Sequence, residues 1–470
     1  MKKIALLLAL VLMLTPVLVA CGGSEDETSK EAPTVSEEEV VDTGFSLDNL
    51  RELDFGKQSF GIFTDKGATT YLISEEETGD LVGDAVFQRN IAIEEKFNLT
   101  LNIVEAEVNQ PVAEIRNFIM ADDKTYHAFN NVQHNAMPSM ILEGYFIDWN
   151  ELEDLDYNQP YWNSRVARDI NYGGKVYTMG GDLNLGTYNN TNCIMFNKDL
   201  FDDLGIDYPY QDVYDYTWTI DKMIEIVKQG YSDLNGDSTW DKEGDRLGFT
   251  GWGWEMDTAV YIGMGGQPVI NDENSMPVLN LNNERNVKII DKLIELFDKT
   301  NAYSEYSDYG LQIKIFSEGR SLMKDAWITN LSLNRNSDYE FGLVPYPMLD
   351  EDQDGYRSRA ANIAHLCYIP TTNTQLEDTG IILEAMSIES YNTIRPVYYD
   401  VTLSIKEAKD EESLDMVDII LDSSTYIYEV FNPNLNSFIS SQTNTFSSWY
   451  AANESIFKKD LQKMIEFYGA

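Results

Sequence analysis

Four side chains in the segment Asp233-Leu234-Asn235-Gly236-Asp237-Ser238-Thr239-Trp240-Asp241 could do chemistry together. Asp233, Asn235, Asp237 and Asp241 stand at positions 1, 3, 5 and 9 of a calcium-type loop, and hard cations take such clustered oxygens. Ser238 replaces the glycine such a loop wants, and Gly244 replaces its last acid, so a solvated acidic turn is the competing reading. Asp350-Glu351-Asp352-Gln353-Asp354-Gly355 opens the same way but has Ala361 where the last acid belongs. Catalytic signatures are missing: there is no GxSxG, HExxH, Walker lysine loop or CxxC. His127, His134 and His365 are each isolated in sequence from Cys or Ser partners. Carboxylates are too many for counting to single out a glycosidase-type acid pair. Cys193 and Cys367 sit in short apolar runs and read as buried strand residues, with a disulfide as the alternative. Rings are plentiful, with 28 Tyr, 20 Phe and 8 Trp, which suits a surface that binds something flat and hydroxylated.

Such residues need a scaffold, and the hydropathy pattern supplies one. Strand-like runs at Ser59–Phe63, Leu99–Val104 and Ala128–Val132 alternate with helical periodicity at Ala85–Phe97, Val112–Met120 and Met137–Tyr145. This rhythm predicts a mainly parallel sheet covered by helices. A second set starts at Cys193–Phe196, with helices at Lys198–Leu204 and Ile220–Gln229, the latter with Thr219 as its expected N-cap. Gly248–Thr250 reads as a strand entering Gly251-Trp252-Gly253-Trp254. Val287–Phe297 is helical, Phe341–Val344 is a short strand, and helices follow at Ile381–Ile388, Leu414–Leu421 and Ile456–Tyr468. The expected fold class is α/β, with two lobes and a cleft between them. Ligands of such folds sit at the carboxyl ends of strands and between domains.

The chain has 470 residues, with 34 Lys and Arg against 79 Asp and Glu, for a formal net charge of −45. With 43% hydrophobic residues it is too apolar for a disordered acidic chain. The acidity argues against nucleic acid and against docking on anionic lipid, since no basic footprint exists. It also argues against an anionic cleft ligand, and it suits a soluble monomer. Lys2 and Lys3 precede the apolar run Ile4–Leu14, and residues 1–20 read as a signal peptide. The run ends Leu18-Val19-Ala20-Cys21-Gly22, which resembles the bacterial lipobox. That implies thioether attachment of diacylglycerol to Cys21, acylation (palmitate), and a lipid anchor at the extracellular face of the cell membrane. Residues 21–54 read as a disordered acidic tether.

Several segments, in order, carry a further likeness. They are Tyr161-Trp162-Asn163, Gly174-Lys175-Val176-Tyr177, Met195-Phe196-Asn197-Lys198-Asp199-Leu200-Phe201, Tyr216-Thr217-Trp218-Thr219, Phe316-Ser317-Glu318-Gly319-Arg320-Ser321-Leu322-Met323 and Phe341-Gly342-Leu343-Val344-Pro345-Tyr346-Pro347. With the lipobox, they resemble the family 1 extracellular solute-binding proteins of ABC importers, carbohydrate branch. The resemblance implies a two-lobed periplasmic-binding-protein fold (type II) that closes on a hinge. Chain crossings are expected near 193, 344 and 400, which gives lobe one as 55–192 plus 345–400 and lobe two as 193–344 plus 401–470.

Ligand-binding candidates follow from strand ends and from that resemblance. Asp65-Lys66-Gly67 resembles the Asp-Lys-Gly of maltose-binding proteins, and Gln133 and His134 follow the third strand. Trp252 and Trp254 follow a strand of the second lobe, Asp325 and Trp327 follow the Gly319–Met323 segment, and Trp449 resembles a late aromatic of the maltose binders. Pyranose rings offer C–H faces to aromatic planes, while Asp and Gln satisfy hydroxyls. The structural alternatives are core packing for the tryptophans and helix capping for Asp65. The expected function is capture of a sugar or oligosaccharide and its delivery to an ABC permease, without catalysis. A surface-anchored carbohydrate-active enzyme and a binder of peptides or other polar solutes are the alternatives. No cofactor is expected beyond the calcium read from the 233–241 loop.

Overall fold

The structure, a computed structural model, describes residues 43–470 except 68, 110, 134–135, 299–300, 306–307, 335–337, 402–410, 428–437, 439–444 and 470. The expected signal peptide, Cys21 and His134 therefore lie outside the described residues. The strands are β1 (Ser59–Thr64), β2 (Thr100–Glu105), β3 (Ala128–Val132), β4 (Asn192–Asn197), β5 (Leu247–Trp252), β6 (Val269–Asn271), β7 (Pro277–Leu279), β8 (Ala302–Glu305), β9 (Ser321–Trp327), β10 (Phe341–Val344), β11 (Ser358–Arg359), β12 (His365–Tyr368) and β13 (Ser424–Thr425).

One sheet has the order β12-β3-β1-β2, with β1 parallel to β2 and β3 and β12 antiparallel. Helix Leu81–Phe97 makes the crossover between β1 and β2. It starts where the Asp80 carboxylate accepts the Gly83 amide and stops where Asn98 turns left-handed, with Val86, Ile93 and Phe97 fully buried. The sequence reading began this helix at Ala85 because the cap precedes the strong periodicity. Gly61 is required inside β1, since a Cβ there would lie 2.0 Å from the Thr125 carbonyl oxygen. His127 holds the same strand: its Nδ1 accepts the Gly61 amide at 3.0 Å and its ring stacks on Phe60.

The second sheet has the order β10-β4-β9-β5-β8, with β5 parallel to β8 and β9 and with β4 antiparallel to β9 and β10. Helices Ile220–Gly230, Gly253–Gly263 and Glu284–Leu296 contribute to its core. Thr219 is the N-cap residue of the first, as expected, but its side chain makes no capping bond. Its backbone instead bridges to Met348. Cys193 and Cys367 are free and buried, one on β4 and one on β12, as the apolar runs predicted.

Between its described elements the chain changes lobe four times. It first crosses at Asn190, whose carbonyl accepts the Ala361 amide, and it returns along β11. Helix Arg395–Val401 packs on helix Leu81–Phe97, whereas helix Glu411–Asp422 packs on β10, so the two belong to different lobes, and the expected crossing near 400 falls outside the described residues. The fourth is β13, parallel to β11. Three passages near 193, 344 and 400 were expected; the second lies later, because Tyr346, Met348 and Tyr356 belong to the second core, and the fourth was not foreseen. After it, Tyr450, Phe457, Met464 and Tyr468 of helix Phe446–Tyr468 join the first core. This corrects the assignment of 401–470 to lobe two. The ordered body also begins before residue 55: Phe45 lies edge-on to Tyr161 and Tyr391, and Arg51 pairs with Asp154. Apolar Phe45, Leu47, Leu50 and Leu53 hold this stretch, which the acidic composition had hidden. Among the described residues no helix is long and apolar enough to cross a membrane.

Candidate functional site

The carboxyl ends of β1 and β3 bring Asp65 and Gln133 together, and β12 adds His365 beside them. Asp65 is buried, with its carboxylate 3.4 Å from His365 Nε2. Gly186 packs on the same imidazole, where a Cβ would lie 2.7 Å from Nδ1. The Gln133 side-chain amide donates to the Ile427 carbonyl at 2.6 Å, so it is spent on the returning chain. Asn184 donates to Asn130 at 2.6 Å, which fixes the loop that leads to the first crossing.

The carboxyl ends of β5 and β9 bring together Trp252, Asp325 and Trp327. These strands are neighbours, and Gly251 lets them approach: a Cβ there would lie 2.6 Å from Asp325 Cβ and 2.4 Å from Met256 Sδ. Asp325 is buried and accepts hydrogen bonds from the Tyr346 hydroxyl and from the Asn192 amide. Burial, with Tyr346 opposing it and Glu255 reinforcing it, pushes the Asp325 carboxyl up to about 7. Trp252 and Trp327 are half-buried, so each ring keeps an exposed part. The Trp327 backbone amide donates to Asn330 Oδ1 at 3.0 Å. Trp254 lies on the helix after β5.

The two groups lie close. The Thr187 hydroxyl donates to the His365 carbonyl at 2.6 Å, and Asn192 is in register with Trp327. Four residues of chain separate Thr187 from Asn192, so the Cα atoms of those two lie within about 18 Å of each other.

Sequence reasoning missed the charged pairs around these ends. Glu255 and Arg359 form a buried ion pair between the helix after Trp252 and β11. Asp182, held by Arg395 at 3.2 Å, is also pushed up to about 7, by burial first. An arginine directly before Ala360-Ala361 and an acid directly after Trp254 were the available signals.

Trp449 is placed elsewhere. It lies in the first turn of helix Phe446–Tyr468, stacked on Phe446 with Phe438 and Phe457 near it. In the 233–241 loop the acids face their own backbone: Asp233 accepts the amides of Gly236 and Ser238, Asn235 that of Asp237, Asp237 that of Thr239, and Asp241 that of Glu243. Among the described residues no three of His, Cys, Asp and Glu gather to hold a metal ion.

No protein-family model and no curated protein matches the chain. Solved structures do. The chain is similar to a cyclic α-maltosyl-1,6-maltose binding protein from Arthrobacter globiformis, at 14% identity and TM-score 0.56, over 86% of this chain and 99% of that one. It is similar to a maltose/maltodextrin-binding domain from Bdellovibrio bacteriovorus bound to maltotriose, at 14% identity and TM-score 0.54, over 87% and 100%. It is also similar to an ABC transporter solute-binding protein from Agrobacterium radiobacter in complex with ribitol, at 14% identity and TM-score 0.53, over 87% and 100%. The fold is therefore the two-lobed α/β fold of solute-binding proteins, as the sequence led one to expect.

Proposed function

We propose that this protein captures a neutral saccharide between its lobes and hands it to an ABC permease, held at the extracellular face of the cell membrane by lipid on Cys21. The observation that carries the reading is the pairing of strand ends. Half-buried Trp252 and Trp327 flank the Asp325 carboxyl on one lobe, and Asp65 and His365 stand at the matching end of the other. Rings offer faces to sugar C–H groups, and buried carboxyl, amide and hydroxyl groups suit sugar hydroxyls once water is excluded. Solved neighbours are named as binders of maltotriose and ribitol, which supports the same class. Closure around the ligand, with no bond made or broken, is the mechanism. A thermal-shift panel of saccharides, followed by calorimetry, tests it: a stabilising sugar whose effect is lost in Trp327→Ala supports the reading, and no response to any saccharide overturns it. Release of Cys21→Ala protein into the medium tests the anchor.

A surface carbohydrate-active enzyme is the second reading. It rests on Asp325, whose carboxyl at about 7 suits a general acid. Hydrolysis of a bound saccharide, abolished in Asp325→Asn, would establish it.

A further inference from the structure

Helix Gly253–Gly263 starts at Trp252 and runs 11 residues, about 16 Å, away from the strand ends. Beyond its far end lies a cavity of about 390 Å³ that shares no residue with the site above. One wall is helix Ser164–Ile170, with Arg165, Arg168 and Asp169, and the other is 267–271 together with Arg357. Ser423 and Thr425, at the fourth crossing, complete it. Val166, Ala167 and Ile170 of that helix belong to the first core and Val269 packs against it, whereas Tyr356 belongs to the second, so groups of both cores line one polar space.

Its charges are unevenly matched. Arg168 is fully engaged by Asp169, at 2.5 and 2.8 Å, and Asp169 also accepts the Tyr426 amide. Among the described residues Arg357 reaches Asp354 alone, at 3.4 Å, whose side chain is 83% exposed. Arg165 makes no guanidinium hydrogen bond among the described residues; burial and then Arg168 depress its proton affinity, while Asp422 and Asp169 oppose them. The lining thus carries three arginines against two aspartates, an excess of one positive charge facing a cavity in a chain whose net charge is −45. Guanidinium forks match carboxylate and phosphate oxygens bidentately.

We propose that this cavity is a second ligand site, taking a small oxyanion, a carboxylate or a phosphate, between Arg165 and Arg357. Its volume is within the range of small-molecule sites. Because Arg165 belongs to a helix of the first core and Arg357 follows Tyr356 of the second, an anion held between them ties the two cores together, and its occupancy is linked to their relative position.

Calorimetric titration of the purified chain with inorganic phosphate and, separately, with citrate, at fixed ionic strength, tests the proposal. The expected result is saturable one-site binding of at least one of them, with affinity falling at least tenfold in Arg165→Met and also in Arg357→Met. The arm that binds names the anion. Unfolding midpoints without anion check that both variants fold, and Arg165→Lys, which keeps the charge but loses the fork, serves if the methionine variant does not. Absence of saturable binding to the unsubstituted chain, or unchanged affinity in either position's folded variant, overturns the proposal.

Discussion

Arg359 on β11 and Glu255 in the first turn of helix Gly253–Gly263 form an ion pair with both side chains under one-tenth exposed. The pair ties the second passage between the lobes to the helix that follows Trp252. Removing one member leaves the other charge buried without its partner. Glu255→Gln is expected to lower unfolding free energy by about 3–5 kcal/mol, and joint replacement by Glu255→Leu and Arg359→Met by much less. Urea denaturation of the single and double variants measures the difference.

Lys324 gives a second expectation. Its ammonium on β9 is fully buried, with no hydrogen-bond partner and the Phe316 ring 5.8 Å away, and burial lowers its pKa to about 8. The unfolded chain binds that proton more tightly, so this group's contribution to stability rises as pH climbs from about 8 toward 10.5. Lys324→Met is expected to be more stable at pH 7 by about 3 kcal/mol, the order set by that shift, and to lose this part of the pH dependence. Urea midpoints across pH 7 to 10 would show it; a destabilised variant with an unchanged slope refutes it.

Asp325 has the opposite sign. Its carboxyl, pushed up to about 7, stays protonated in the folded state where the unfolded chain has already released its proton. Its contribution to stability is full below about 4 and falls as pH rises to about 7. Asp325→Asn, which keeps an acceptor for Tyr346, is expected to flatten this fall and to be the more stable chain at pH 8. Thermal unfolding at intervals from pH 4 to 8 compares the two.

For Trp252 and Trp327 the expected loss is in binding rather than folding. Both are half-buried at strand ends, so truncation to Ala is expected to cost little stability but to weaken saccharide binding by about tenfold to a hundredfold, as removal of an aromatic anchor does. Trp449→Ala provides the contrast, because its ring belongs to the Phe438, Phe446 and Phe457 cluster and its loss is expected chiefly to destabilise.

Local pattern made much of the scaffold legible. Val112–Met120, Ala128–Val132, Lys198–Leu204 and Phe341–Val344 appear with the bounds read from the sequence, because periodicity and turn residues act within a few positions. The crossings were harder. β11 and β13 are two residues each and pair across 66 positions, with no alternation to announce them. Among the candidate ligand residues, the sequence placed Asp325 and Trp327 past the Gly319–Met323 segment, and they fall at the end of β9. His365 was set aside because its partner, Asp65, is 300 residues away, and Arg359 was passed over for the same reason.

The fourth crossing bears on how the chain is made. Helix Phe446–Tyr468 supplies part of the first core, while that core's opening strand is Ser59–Thr64. The core that opens with β1 therefore cannot be completed until helix Phe446–Tyr468 has been synthesised. Because such long-range closure is slow and domains settle only when their pieces are present, the nascent chain stays loose while it emerges.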